Sequence, residues 1–416
     1  MEITEFTENP KLQNILYDLR NDESLKGKRY SDVEDAEGHQ YVDFVMEGGG
    51  VWGIALAGYV HVMEEMGIRF LQLGGASAGA INTLFMAAAG PIDEPKTPWI
   101  LKKISEKNLA ELIDGDSDAV DFIETVMEKS SVLKLLTKAV QVVDNLKHDM
   151  GLNPGDNFTE WVKECLAEQG ITDTADLKEL RSKLPEGLVQ KTSEGTVPYP
   201  KENVETICII SAEVTTETKV EFPKMADLYW EYPDAVNPAE FVRASMSIPV
   251  FFHPYTVKDI PNGEGTWEKW KECTGYIGGA PSEAKFVDGG MVSNFPIDIF
   301  HNFRTPRPAA PTFGVKLEID RNKPNNTDNI FGLLGAMLNT ARHIHDYQFI
   351  LKHPDFEQLV AYIDTGDHNW LNFNLSDEDQ VDLFNRGAKA GADFLKKFNW
   401  EGYKDTREEL FNKLPK

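Results

Sequence analysis

Residues 1–40 are polar and charged, with Leu12, Ile15, Leu16 and Leu19 at helical spacing, and predict an N-terminal arm packed on a larger body. At Tyr41 the texture changes. Val42 to Met46 is a mostly apolar run of strand length that stops at glycines. Ile54, Ala57, Tyr59, Val60, Met63 and Met66 then recur at helical spacing until Gly67, where a helix can end. Phe70 to Leu73 predicts a second strand and Ala78 to Ala89 a second apolar helix. This βαβα order implies a parallel sheet, because the helix serves as the crossover between strands that run the same way.

Between residues 91 and 200 the strand signal disappears. The segment is charged and helical in pattern, with breaks at Pro91, Pro95, Pro98, Asp114-Gly115-Asp116 and Asn153-Pro154-Gly155, and it is loop-like from Lys191 to Lys201. A helical insertion or cap is expected there. Strand-like runs resume at Val204 to Ala212, Lys219 to Phe222, Phe286-Val287 and Thr312 to Ile319, so one sheet is interrupted and then continued. Helical periodicity returns from Ile330 to about Leu351 and from Asp377 to Phe398. The organisation expected is an arm (1–40), an α/β body (41–400) carrying the insertion at about 91–200, and a C-terminal tail (401–416).

Composition removes several function classes. With 42 basic against 68 acidic residues the net charge is −26, the wrong sign for nucleic acid and for steady adhesion to anionic membranes. Cys165, Cys208 and Cys273 are odd in number and scattered, which supports neither a disulfide framework nor a zinc site. No metal or other cofactor is expected. The acidic start, Met1-Glu2-Ile3-Thr4-Glu5, lacks the basic-then-apolar pattern of an export signal, and no run approaches the roughly 18 apolar residues of a membrane span. A cytoplasmic location is the expectation.

Candidate chemistry sits in two glycine-rich turns. Gly75-Ala76-Ser77-Ala78-Gly79 matches GxSxG between a strand and a helix: the glycines permit a sharp turn, and the serine projects at a helix N-terminus that favours developing negative charge. Gly48-Gly49-Gly50-Val51-Trp52-Gly53 also fits GxGxxG, the dinucleotide fingerprint, which makes a nucleotide-binding or non-catalytic α/β protein the rival reading. That fingerprint expects an acidic residue at the end of the second strand to hold a ribose, and here the strand runs into Leu73-Gly74-Gly75 and the serine. The loop then suits an oxyanion hole better than a phosphate. A serine nucleophile needs a base. Asp288, in Phe286-Val287-Asp288-Gly289-Gly290, ends an apolar run ahead of glycines and is the most suggestive acid. His301, His343, His345, His353 and His368 follow it in the Ser…Asp…His order of α/β-hydrolases, though none has a distinctive local motif. His343 and His345 fall on opposite sides of a helix, which does not suit a metal pair.

With these blocks together the chain resembles the patatin-like phospholipases. The resemblance covers the loop at 48–53, the elbow at 75–79, Asp288-Gly289-Gly290 with Asn294 and Pro296 behind it, and Arg243 to Pro254, which carries the family's Ala-Ser-x-x-x-Pro-x-x-Phe pattern. In order and spacing these blocks span most of residues 42–320. The resemblance implies a three-layer α/β/α fold with a mainly parallel central sheet, patatin/FabD-lysophospholipase-like, with a helical insertion. It implies a Ser–Asp dyad without histidine: Ser77 as nucleophile, Asp288 as its partner, and Gly48, Gly49 and Gly50 as the oxyanion loop. The partner would be a lipid or other acyl ester, met with at most transient membrane-surface contact; a thioesterase or acyltransferase is the nearest enzymatic alternative. Trp52 departs from the pattern, since many members have Arg or Lys there, so a basic side chain orienting an anionic head group is not carried over. Phe251 and Phe252 are candidates to line an acyl pocket, and core packing accounts for them equally well.

Overall fold

The computed structural model describes residues 1–115, 150–201, 206–301, 305–317 and 353–413, with isolated positions between 324 and 341. The middle of the insertion, most of the helix expected from Ile330 to Leu351, and both His343 and His345 lie outside the described residues.

One mixed, mostly parallel sheet carries the molecule. Its main strands are β1 (Gln40–Met46), β2 (Ile68–Ala76), β3 (Ile207–Glu213), β4 (Thr218–Phe222), β5 (Tyr255–Lys258), β6 (Glu283–Val287), β7 (Thr312–Lys316) and β8 (Val360–Tyr362). The centre, β8-β7-β1-β2-β3, is parallel throughout. β4 and β6 each pair antiparallel with β3, and β5 pairs antiparallel with β6. Tyr41 to Met46 are all buried, as expected of a parallel strand covered on both faces, which is why its run is nearly continuous rather than alternating.

The principal helices are α1 (Gly53–Glu65), α2 (Ala78–Ala88), α3 (Ala239–Ser245) and α4 (Asp377–Lys397). Val42, Phe44 and Met46 share one core with residues of α1 and α4. Elsewhere on the sheet Tyr41 and Leu71 meet Val33, Ile92, Leu188 and Tyr199, while Ala76, Cys208 and Ile210 meet Val292, Ile299 and Phe300. Glycines set the α1–α4 spacing. A Cβ on Gly58 would lie 1.9 Å from the Phe384 carbonyl oxygen, and one on Gly387 would lie 1.8 Å from that of Ala55, so the two helix backbones touch.

The arm forms the helix Pro10–Asn21, which buries Leu12, Leu16 and Leu19 and packs on α4. Residues 401–416, read as a tail, contribute to the helix Trp400–Asn412, whose buried Arg407 donates to the Thr305 carbonyl (2.9 Å) and lies 3.5 Å from Asp355. Lys191 to Lys201, expected as loop, is largely a hairpin of Val189–Thr192 and Gly195–Pro198 joined to Val33–Glu34. Both faces of its second strand are exposed, so no hydrophobic alternation marked it. Among the described residues no helix is long and apolar enough to cross a membrane, and no cluster of three or more His, Cys, Asp or Glu could hold a metal.

Candidate active site

β2 ends at Ala76 and α2 begins at Ala78, which leaves Ser77 alone on the turn with φ +52° and ψ −122°. Side chains rarely adopt that backbone, and holding it costs on the order of 1–3 kcal/mol. Steric fit enforces it. A Cβ on Gly79 would lie 2.2 Å from the Met46 carbonyl oxygen and one on Gly75 would lie 2.5 Å from that of Gly79, so the elbow presses directly onto the end of β1. Hydrogen bonds hold it from the other side: the Ser77 N–H donates to the Ser245 hydroxyl (2.9 Å), which donates to the Ile210 carbonyl (2.6 Å).

The strand register brings Asp288 to the same place. Ala76 pairs with Ile210 and Val287 with Ala212, while β4 takes the other edge of β3, so β2 and β6 run toward each other along one edge and Ser77 and Asp288 come together opposite Ser211. Both residues are buried, and the hydroxyl of Ser211 on the facing strand is buried without a hydrogen-bond partner. The Asp288 N–H donates to the Ser247 carbonyl and the Gly289 N–H to the Ser245 carbonyl, each at 2.8 Å. The Gly290 N–H donates to Asp288 Oδ1, also at 2.8 Å, and orients the carboxylate. Ser245 therefore ties the serine elbow to the Asp-Gly-Gly turn. Arg243 braces this link by donating to the Ser247 hydroxyl (2.6 Å) and the His253 carbonyl (2.9 Å).

The glycine loop is anchored at both ends. Buried Glu47 pairs with Lys316 and accepts from the Leu317 N–H (2.7 Å). The Gly48 N–H donates to the Asn294 carbonyl (3.1 Å), and the Asn294 amide donates back to the Gly48 carbonyl (3.3 Å). Gly50 has φ +54°, and a Cβ there would lie 2.1 Å from the Trp370 carbonyl oxygen, which accepts the Val51 N–H at 2.9 Å. That carbonyl fills the space that the second glycine of a dinucleotide fingerprint keeps open for a pyrophosphate. The Trp52 indole donates to the His368 carbonyl (3.0 Å), so it staples the loop to the C-terminal third. Among the described residues, the N–H groups of Gly49, Gly50 and Ala78 meet no acceptor.

No histidine is hydrogen-bonded to Ser77 among the described residues. His301 is buried against Asp355 (3.2 Å) and Arg407, and burial holds its imidazole below its ordinary pKa. His368 faces Asp382 (3.2 Å).

A cavity of about 720 Å³, its open mouth included, has Ser77, Gly50 and Ala78 in its wall. Ile81 and Phe85 of α2 continue that wall, and the insertion supplies much of the rest through Ile100, Leu112, Phe158 and Trp161. Phe251 and Phe252 do not line it. Phe251 stacks on Phe373, which does (5.4 Å between centroids), so these two phenylalanines form the packing behind the wall. Sequence reasoning missed the true lining, because an apolar residue facing a cavity has the same spacing as one facing a core. It also missed the bridging role of Ser245, for which the signal was the Ala-Ser-x-x-x-Pro pattern itself.

A family model described as Patatin-like phospholipase matches residues 44–301. The protein YqhO of Bacillus subtilis (strain 168), itself described as uncharacterized, is 31% identical over 362 residues, which cover 86% of this chain and 100% of YqhO. Among solved structures, VipD from Legionella pneumophila is similar with a TM-score of 0.40 and 15% identity, over 88% of this chain and 70% of VipD.

Proposed function

Because the chain belongs to the patatin-like phospholipase family, we propose that it is a lipid acyl hydrolase working through Ser77 and Asp288. Ser77 Oγ attacks the ester carbonyl carbon while the Asp288 carboxylate accepts the hydroxyl proton. The carbonyl oxygen becomes an oxyanion at the N–H groups of Gly49, Gly50 and Ala78. Gly48 shapes this hole rather than donating, since its own N–H is given to Asn294. The tetrahedral intermediate collapses, Asp288 returns the proton to the departing alcohol, and an acyl-enzyme remains. Water attacks it while Asp288 takes up the water's proton, the second tetrahedral intermediate collapses, and Asp288 returns that proton to Ser77 Oγ as the fatty acid leaves.

A carboxylate is a weak base toward a serine hydroxyl, so the reading leans on the oxyanion donors, each worth roughly 3–4 kcal/mol. The observation that carries it is the meeting, at one apolar cavity, of a strained serine with backbone N–H groups that have no other acceptor. A fluorophosphonate probe tests it. Labelling of the wild type that disappears in Ser77→Ala is the expected outcome, and folded wild type that takes up no probe overturns the reading.

A further inference from the structure

The polar and apolar groups of the cavity are sorted to opposite ends. Ser77, Gly50 and Ala78 supply the reacting end, and from there the wall follows one face of α2 through Ala78, Ile81, Asn82 and Phe85. Phe85 lies eight residues beyond Ser77 (85 minus 77), about 12 Å along a helix axis. Phe85 is the last residue of α2 in the wall. The Phe85 ring meets Trp99 (5.2 Å, 67°) and Trp161 (5.5 Å, 65°) edge-on, and such an aromatic cluster resists displacement. Phe85, Ile100 and Phe158 around it are at most 2% exposed.

No charged side chain lines the cavity among the described residues, and Asn82 is the one polar side chain there besides Ser77. Its amide group donates to the Gly53 (3.3 Å) and Ala78 (3.1 Å) carbonyls, so it is committed to the backbone. Among the described lining residues no charged side chain is placed to recognise a phosphate or an amine.

Resting on the acyl-hydrolase reading, we propose that this cavity is a blind acyl ruler: it takes a single hydrocarbon tail of about eight to ten carbons and leaves the alcohol part of the ester outside, unread. With carbon–carbon bonds of about 1.5 Å an extended chain advances ~1.25 Å per carbon, so about 12 Å accommodates nine or ten. Each methylene buried on the way should raise kcat/KM about fourfold until the aromatic floor is reached. Trp161 and Phe85 are then the residues that set substrate length, and the insertion is the part of the chain that holds the ruler closed.

The test uses the full chain and p-nitrophenyl esters from four to sixteen carbons, each below its micellar concentration. Expected is a rise in kcat/KM to an optimum at eight to ten carbons and a fall beyond it. Trp161→Ala, which opens the floor, should raise the fourteen-to-eight carbon ratio at least tenfold. Ile81→Trp, which blocks the path halfway, should lower the ten-to-four carbon ratio at least tenfold, and it decides alone if the first variant does not fold. Activity that keeps rising to sixteen carbons, or unchanged ratios in variants still labelled at Ser77 by fluorophosphonate, overturns the ruler. Wild type that takes no label overturns the hydrolase reading instead. Octanoyl esters of glycerol and of glycerophosphocholine should differ less than tenfold, and a larger difference shows that the head group is read.

Discussion

The reacting strip and the acyl cavity share a wall but are built on different principles. Ser77, Asp288 and the glycine loop are positioned by backbone: N–H to carbonyl bonds from Gly48, Asp288 and Gly289, and contacts at Gly75 and Gly79 too close for any side chain. Away from the strip, the cavity is positioned by side chains. Its wall comes from α2, the helices Thr97–Glu106 and Asp156–Glu168, and the segment around Met246, and it contains no hydrogen-bonded constraint on a ligand. On the proposed reading, chemistry is thus fixed by backbone contacts, whereas selectivity is set by volume. Changes to the strip should act as switches and changes to the cavity as gradations.

The strongest way to break this contrast is at the strip. Ser77→Ala and Asp288→Asn should each lower ester hydrolysis at least about 10⁴-fold with an unchanged circular-dichroism spectrum, while His368→Ala stays within about threefold. A collapse of activity in the folded histidine variant would hand the role of base to a residue outside the strip.

pH sharpens the contrast next, because among the described residues no titratable side chain lines the cavity, whereas Asp43 lies in β1, the strand that leads into the glycine loop. Burial pushes the Asp43 carboxyl from 3.8 up to about 8, so the folded protein retains a proton that the unfolded chain releases. Between about pH 4 and 8 the native state binds more protons here, and stability falls as pH rises, by up to about 1.4 kcal/mol per unit. Asp43→Asn removes that slope. Its Tm advantage over wild type should therefore grow with pH across this window, and a constant difference would show that Asp43 ionises freely in the fold.

Smaller effects probe the link between the two turns. Ser245→Ala deletes the acceptor of the Ser77 N–H and the donor to Ile210, a buried loss of about 1–3 kcal/mol. It should reduce kcat roughly 10- to 100-fold and leave the chain-length optimum where it is; a shifted optimum would mean that strip and cavity are not separable. The smallest effect has the opposite sign. Ser77→Gly relieves the φ of +52° and should raise stability by about 1 kcal/mol in chemical denaturation while abolishing activity.

The same division explains what was legible in the sequence. Gly48 to Gly53, Gly75 to Gly79 and Asp288 to Gly290 were readable because close backbone approach excludes most residue types, and that exclusion is visible in one chain. The central strands were readable from their apolar runs. β8 and β5 were not: Val360–Tyr362 is three residues long, and Tyr255–Lys258 alternates too briefly to stand out. Phe251 and Phe252 could not be assigned between pocket and core, and Trp161 was overlooked, for one reason: hydrophobicity reports burial but not whether the far side of a side chain meets protein or empty space. Ser245 lay in a recognised pattern, yet its two bonds depend on Ile210 and Ser77, which only the folded register brings to it.

The bond from Val51 to the Trp370 carbonyl has a consequence in time. Ser77 and the glycine loop leave the ribosome well before Trp370, and the carbonyl that fixes the loop is made about 320 residues later (370 minus 50). At roughly 5–20 residues per second, that is a delay of about 15 seconds to a minute. A ribosome-bound chain therefore carries its serine well before the loop proposed to receive the oxyanion is fixed, and on that reading activity should switch on only after Trp370 has emerged.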